Sequence, residues 1–135
     1  MPQTRSARQY IAEALALARS SRPQEALFLL DEGLTAAREE DRSRDVALLA
    51  RNAGIISSHL GDLEGAVRHY RLAREHDPDD LYVHLALADV LERLGRTADA
   101  RRLVAECRDQ ALAANDEDVL AILRHRQPSS AAAPT

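Results

Sequence analysis

The sequence predicts an all-α protein built from stacked antiparallel helix pairs, and three observations predict it. Gly61 is followed five residues later by Ala66, and Gly95 five residues later by Ala100, so the same punctuation returns after 34 residues. A period of that length marks helix-turn-helix arrays, in which each pair buries its apolar stripe against the next. The composition agrees: 45% of residues are hydrophobic, yet aromatics are only 3% and Trp is absent, leaving Ala and Leu, both strong helix formers, to supply the core. Five Gly and five Pro sit mostly at segment ends. A chain of 135 residues is one domain's length and buries roughly two-thirds of its unfolded surface on folding.

Helical spacing accounts for nearly every segment in turn. The first helix is expected from about Thr4 to Ser20, on the recurrence of Tyr10, Ala14, Leu17 and Ala18. Ser20-Ser21-Arg22-Pro23 breaks it, and Pro23 suits the first turn of a second helix that holds Ala26, Leu27, Leu30 and Leu34 and reaches about Glu40. A polar connector ends at Ser43, an expected N-cap for a third helix over about Arg44 to Leu60. Gly61 then suits the left-handed conformation past a helix end. The fourth helix runs from about Leu63 to His76 and stops at Asp77-Pro78.

Asp79 or Asp80 is placed to cap a fifth helix that extends to Leu94. Gly95-Arg96 turns the chain, and Thr97 is expected to cap a sixth that ends near Ala114. Asn115 is expected to cap a short last helix, with Asp116, Glu117 and Asp118 at its positive end and Arg124, His125 and Arg126 at its negative end. The remaining residues, 126–135 at the widest, read as a disordered tail without periodicity.

Charge and motif content narrow the function. The net charge is −4, the pI is about 5.7, and all 18 basic residues are Arg. An acidic balance with scattered Arg does not make the basic patch that nucleic-acid binding needs. No run approaches the ~20 apolar residues of a membrane span. The stretch Ile11 to Leu15 is interrupted by Glu13, unlike a secretory leader, so a cytoplasmic location is expected. A single cysteine, Cys107, permits no internal disulfide and suits a reducing compartment. The five histidines form no HExxH spacing, and no glycine-rich phosphate loop is present. His69 and His76 share one helix face and read as solvated surface, and Cys107 reads as a small packed residue. The sequence therefore predicts no cofactor, no metal and no enzyme activity.

The stretch GDLEGAVRHYRLAREHDPDD, with Gly54, Gly61, Ala66, Tyr70, Ala73 and Pro78, resembles the tetratricopeptide repeat. Leu87, Ala88, Gly95, Ala100, Val104 and Cys107 repeat the pattern without its terminal Pro. A weaker first copy carries Tyr10, Ala14, Ala26, Leu30 and Gly33, with Glu13 at an expected aliphatic position and Arg38 at the terminal Pro. The step from Ala26 to Ala66 is 40 residues rather than 34, which a longer second helix and connector would absorb. The resemblance implies a right-handed superhelix of three repeats, about 7–40, 47–80 and 81–114, with a capping helix over 116–125, in a domain over 4–125.

It also implies that the first helix of each pair lines a concave groove. The residues so placed include Arg8, Ile11, Leu15, Arg51, Asn52, Ile55, His59, Tyr82, Asp89 and Arg93, with Leu48 beside them. Ile11, Leu15 and Ile55 serve either as an apolar strip for a ligand or as packing between neighbouring helices. Arg51 serves either as a carboxylate anchor or as a solvated, internally paired residue. Of the basic and amide set with which some members clamp a chaperone's acidic C-terminus, only Asn52 is present. The expected function is capture of a protein partner's peptide or helix in this groove. Self-assembly into a homo-oligomer through the end helices or convex face is the alternative. RNA recognition, as in the related pentatricopeptide repeats, is disfavoured by the 34-residue step and the acidic pI.

Overall fold

The computed structural model describes residues 5–126. It contains seven helices: α1 (Ala7–Arg19), α2 (Pro23–Glu39), α3 (Ser43–His59), α4 (Leu63–His76), α5 (Leu81–Arg93), α6 (Thr97–Ala114) and α7 (Glu117–His125). Among the described residues there is no strand. The helices fall into two compact units, α1–α4 and α5–α7. The expected tail from 127 onward lies outside the described residues.

In the first unit α1 packs on α2, α2 on α3 and α3 on α4, and α1 also meets α3. Small side chains make this close stacking work: Ala14, Ala26, Ala50, Ala53 and Ala66 are all fully buried. Leu30 and Leu49 fill the remaining space, each gaining about 1.5–3 kcal/mol from complete burial. Two aromatic rings lie directly on helical glycines. A Cβ on Gly33 would meet the Tyr10 ring at 2.9 Å, and one on Gly54 would meet the Tyr70 ring at 2.7 Å. The Tyr10 ring in turn carries the Arg5 guanidinium 5.6 Å from its centre.

The second unit packs α5 on α6 and α6 on α7. Leu81 and Leu85 from α5, Cys107 and Ala111 from α6, and Val119 and Leu123 from α7 form its core, with Val104 and Leu120 at the margin. Val119 and Leu123 of α7 are thus spent on α5 and α6, whereas Ile122 stays 42% exposed.

One turn design recurs five times. After each of α1, α2, α3, α5 and α6 one residue turns left-handed: Ser21, Asp41, Gly61, Gly95 and Asn115, with φ between 53° and 81°. The next amide then donates back to a carbonyl five residues earlier, as in Arg22 to Leu17, Arg42 to Ala37, Asp62 to Ser57, Arg96 to Leu91 and Asp116 to Ala111, at 2.8–2.9 Å. This back-bond satisfies an orphan carbonyl and fixes where the next helix starts.

That register corrects three expected caps. Ser43 and Thr97 lie inside their helices, because the turn leaves Arg42 and Arg96 at the cap positions, without side-chain capping bonds. The Ser43 hydroxyl instead meets His76 Nδ1 at 2.7 Å. Asn115 ends α6 in the left-handed conformation, and Asp116 caps α7, its carboxylate accepting from the Val119 amide at 3.1 Å. Asp62 caps α4 in the same way through the Gly65 amide. Asp80 holds the α5 cap position without a side-chain capping bond. Ser6 and Gln9 form a reciprocal capping box ahead of α1.

Of the two features expected to absorb the six extra residues between the first two copies, the longer second helix is present and the longer connector is not. The connector of residues 40–42 has three residues, as have those at 20–22, 60–62 and 94–96. The additional length is taken up by α2 and α3, with 17 residues each against 14 in α4 and 13 in α5. The α2–α3 hairpin thus extends about one helical turn further, and Arg38 sits in that added turn of α2.

Candidate partner-binding face

On α1, Ile11 and Leu15 are half-buried at i, i+4 spacing, and Arg8 is exposed one turn earlier. On α3, Leu48 is 43% exposed, Arg51, Asn52 and Ile55 are half-buried, and His59 is exposed. These α3 positions follow the i, i+3, i+4, i+7 stripe of one helix face. Because α1 packs on α3, the two stripes lie on neighbouring helices. The aliphatic residues both pack the unit and leave apolar surface open. The Asn52 side-chain amide donates to the Leu48 carbonyl at 2.9 Å, which holds the side chain along its own helix. Glu13, which departs from the repeat pattern, is exposed on α1 and pairs with Arg5 at 3.5 Å.

On α5, Tyr82 is 45% exposed, and Asp89 and Arg93 are exposed. Asp89 is already engaged by this chain: its carboxylate takes the Arg126 guanidinium at 2.7 Å. Arg126 also binds Glu92 at 3.1 Å, and its side chain is only 15% exposed. Arg126 falls where the expected end of the last helix and the expected tail overlap. It is the C-cap of α7 and bolts that helix to α5. Its partners lie more than 30 positions away, a separation that carries no local signal.

A serine, a histidine and an aspartate also come together between α2, α3 and α4. Ser57 Oγ lies 3.4 Å from His69 Nδ1, and His69 Nε2 lies 3.6 Å from Asp31 Oδ1. Nucleophilic catalysis needs a hydroxyl that a substrate can reach. Ser57 is completely enclosed, so its hydroxyl is out of a substrate's reach and the group links three helices. Cys107 is likewise enclosed, its Sγ 3.8 Å from the Leu81 carbonyl. Burial pushes its thiol pKa up, against a smaller downward pull from Arg126. Among the described residues no group of three or more His, Cys, Asp or Glu could hold a metal ion, and no helix is long and apolar enough to cross a membrane.

The Gly61 and Gly95 turns and the buried Tyr70, Ala66 and Ala100 fall within a family match. The tetratricopeptide repeat family model matches residues 59–125, from the end of α3 through α7. This is a tetratricopeptide repeat protein. The chain is also 34% identical over 90 residues to cellulose synthase operon protein C of Pseudomonas fluorescens. That stretch covers 65% of this chain and 7% of the relative's length. Tetratricopeptide repeats generally mediate protein–protein interaction and are not themselves enzymes.

Proposed function

We propose that this tetratricopeptide repeat protein is a non-enzymatic docking module that captures a peptide or helix of a partner protein on the first helices of its pairs. The observation that best supports this is the α3 stripe. It offers an exposed Leu48 and a half-buried Ile55 beside Arg51 and Asn52, the mixture of apolar and polar groups that orients a bound peptide. Tyr82, exposed on α5, is the aromatic candidate for an anchor, since aromatics carry a large share of binding energy at interfaces. The acidic net charge of −4 favours a protein partner over nucleic acid. The buried, reduced thiol of Cys107 suits a cytoplasmic setting. The likeness to cellulose synthase operon protein C covers too little of that protein to lend a polysaccharide substrate.

The test is selection of peptides from a displayed random library, followed by affinity measurement with variants. Leu48→Gln and Tyr82→Ala change exposed side chains, so helicity is expected to be retained. Each is expected to weaken a selected peptide about fivefold, since roughly 1 kcal/mol of partial apolar burial is lost in each case. Self-association is the second reading, favoured by apolar side chains open elsewhere: Phe28 is 69% exposed, Leu112 57% and Ile122 42%. A sedimentation coefficient that rises with concentration, and that Phe28→Gln or Ile122→Gln abolishes, would establish it.

A further inference from the structure

A cleft of about 390 Å³ lies between α2 and α4, away from the α1 and α3 stripes. Its walls are Asp31, Leu34, Thr35 and Arg38 from α2 and Arg68, His69 and Leu72 from α4. Most of these polar groups are spent within the fold. The Thr35 hydroxyl donates to the Asp31 carbonyl at 3.0 Å, and the Asp31 carboxylate faces His69 at 3.6 Å. Arg38 and Arg68 differ. Arg22 is held by Glu25 and Arg42 by Glu40 and Asp45, but among the described residues no carboxylate takes either cleft arginine. Two arginines, one from each wall, thus line one cleft together with aliphatic Leu34 and Leu72.

Arg38 is there because of the added turn of α2. It stands where the repeat pattern ends in Pro, and it also lines a neighbouring cleft of about 320 Å³ with Ser43 and His76. The larger cleft holds the volume of on the order of a dozen waters, more than one carboxylate or phosphate would fill. Guanidinium groups prefer carboxylate and phosphate oxygens, and the aliphatic lining adds a requirement for an apolar group beside the charge. We propose that the α2–α4 cleft is a second docking site, which takes an acidic segment of a protein partner carrying aliphatic residues between its carboxylates.

The probe is a fluorescein-labelled peptide of repeating Glu-Glu-Leu composition, followed by anisotropy at low and at physiological salt. It is expected to bind the full chain, more weakly as salt rises. Arg38→Gln and Arg68→Gln are each expected to weaken binding about threefold and their combination about tenfold, the range for exposed charge pairs. Circular dichroism of these surface variants checks that the helices are kept. A peptide with Gln in place of Glu is expected to bind at least tenfold more weakly, and Leu48→Gln on the α3 stripe to leave binding unchanged, which separates this site from the first. Equal binding by the double arginine variant, or displacement of the peptide by inorganic phosphate at the peptide's own concentration, would overturn the proposal. So would tighter binding of a labelled single-stranded oligonucleotide than of the peptide.

Discussion

Gly54 shows how tightly a single residue is specified. The Tyr70 ring is 4% exposed and lies where a Cβ on Gly54 would stand, at 2.7 Å. Alanine is the better helix former by up to about 1 kcal/mol, but overpacking a closed contact costs roughly 1–3 kcal/mol. Gly54→Ala is therefore expected to destabilise the protein by about 1–2 kcal/mol, read as a lower urea midpoint with an unchanged slope. Cys107 sets a pH dependence at the same scale. Its pKa is raised in the folded state, so the contribution it makes is intact while pH is below the ordinary thiol value and is lost as pH climbs through the folded one. Stability is expected to fall above about pH 8.5, and Cys107→Ala to flatten that fall. Labelling of the thiol by a maleimide should be slow at pH 7 and fast in urea. Rapid labelling in native buffer would contradict its enclosure.

Among the helices, the ends were harder to read from the sequence than the existence of each. Gly61 and Gly95 announce their turns because glycine adopts a positive φ without cost. The same turn at Ser21, Asp41 and Asn115 carries no such mark, since serine, aspartate and asparagine serve equally well as caps. That is why Asn115 read as a start when it is a stop. Ser43 and Thr97 look like caps for the same reason, and only the back-bonded register moves them one position inward. The candidate face on α1 and α3 follows from the family resemblance, whose groove positions recur at helical spacing. The Arg126 link was not legible in the sequence, because it depends on α7 folding back along α5. Arg126→Ala is expected to cost about 1 kcal/mol, given the partial exposure of Asp89, and to leave Glu92 without this cation. Amide exchange in α7 should then speed up by roughly fivefold while α6 keeps its protection. Unchanged exchange in α7 would show that the Val119 and Leu123 contacts alone hold it.

For the whole molecule, both helices of a pair supply small buried residues, Ala53 of α3 as well as Ala66 of α4 and Ala100 of α6, while the first helices α3 and α5 leave Leu48 and Tyr82 open. Ser57 and Cys107 are both enclosed, and the family match points to a binding role. The added turn of the α2–α3 hairpin is where this chain departs from its own 34-residue period, and it places Arg38 beside Arg68. Function on this architecture lies on its surfaces, and the exposed residues of the first helices are the ones proposed to bind a partner peptide.

The most direct measurement is the dissociation constant of a library-selected peptide for the wild type and for the Leu48→Gln and Tyr82→Ala variants, with helicity recorded on the same samples. Docking on the first helices predicts about fivefold weaker binding for each variant at unchanged helicity. Equal affinity for all three proteins would contradict it and place the function on another face.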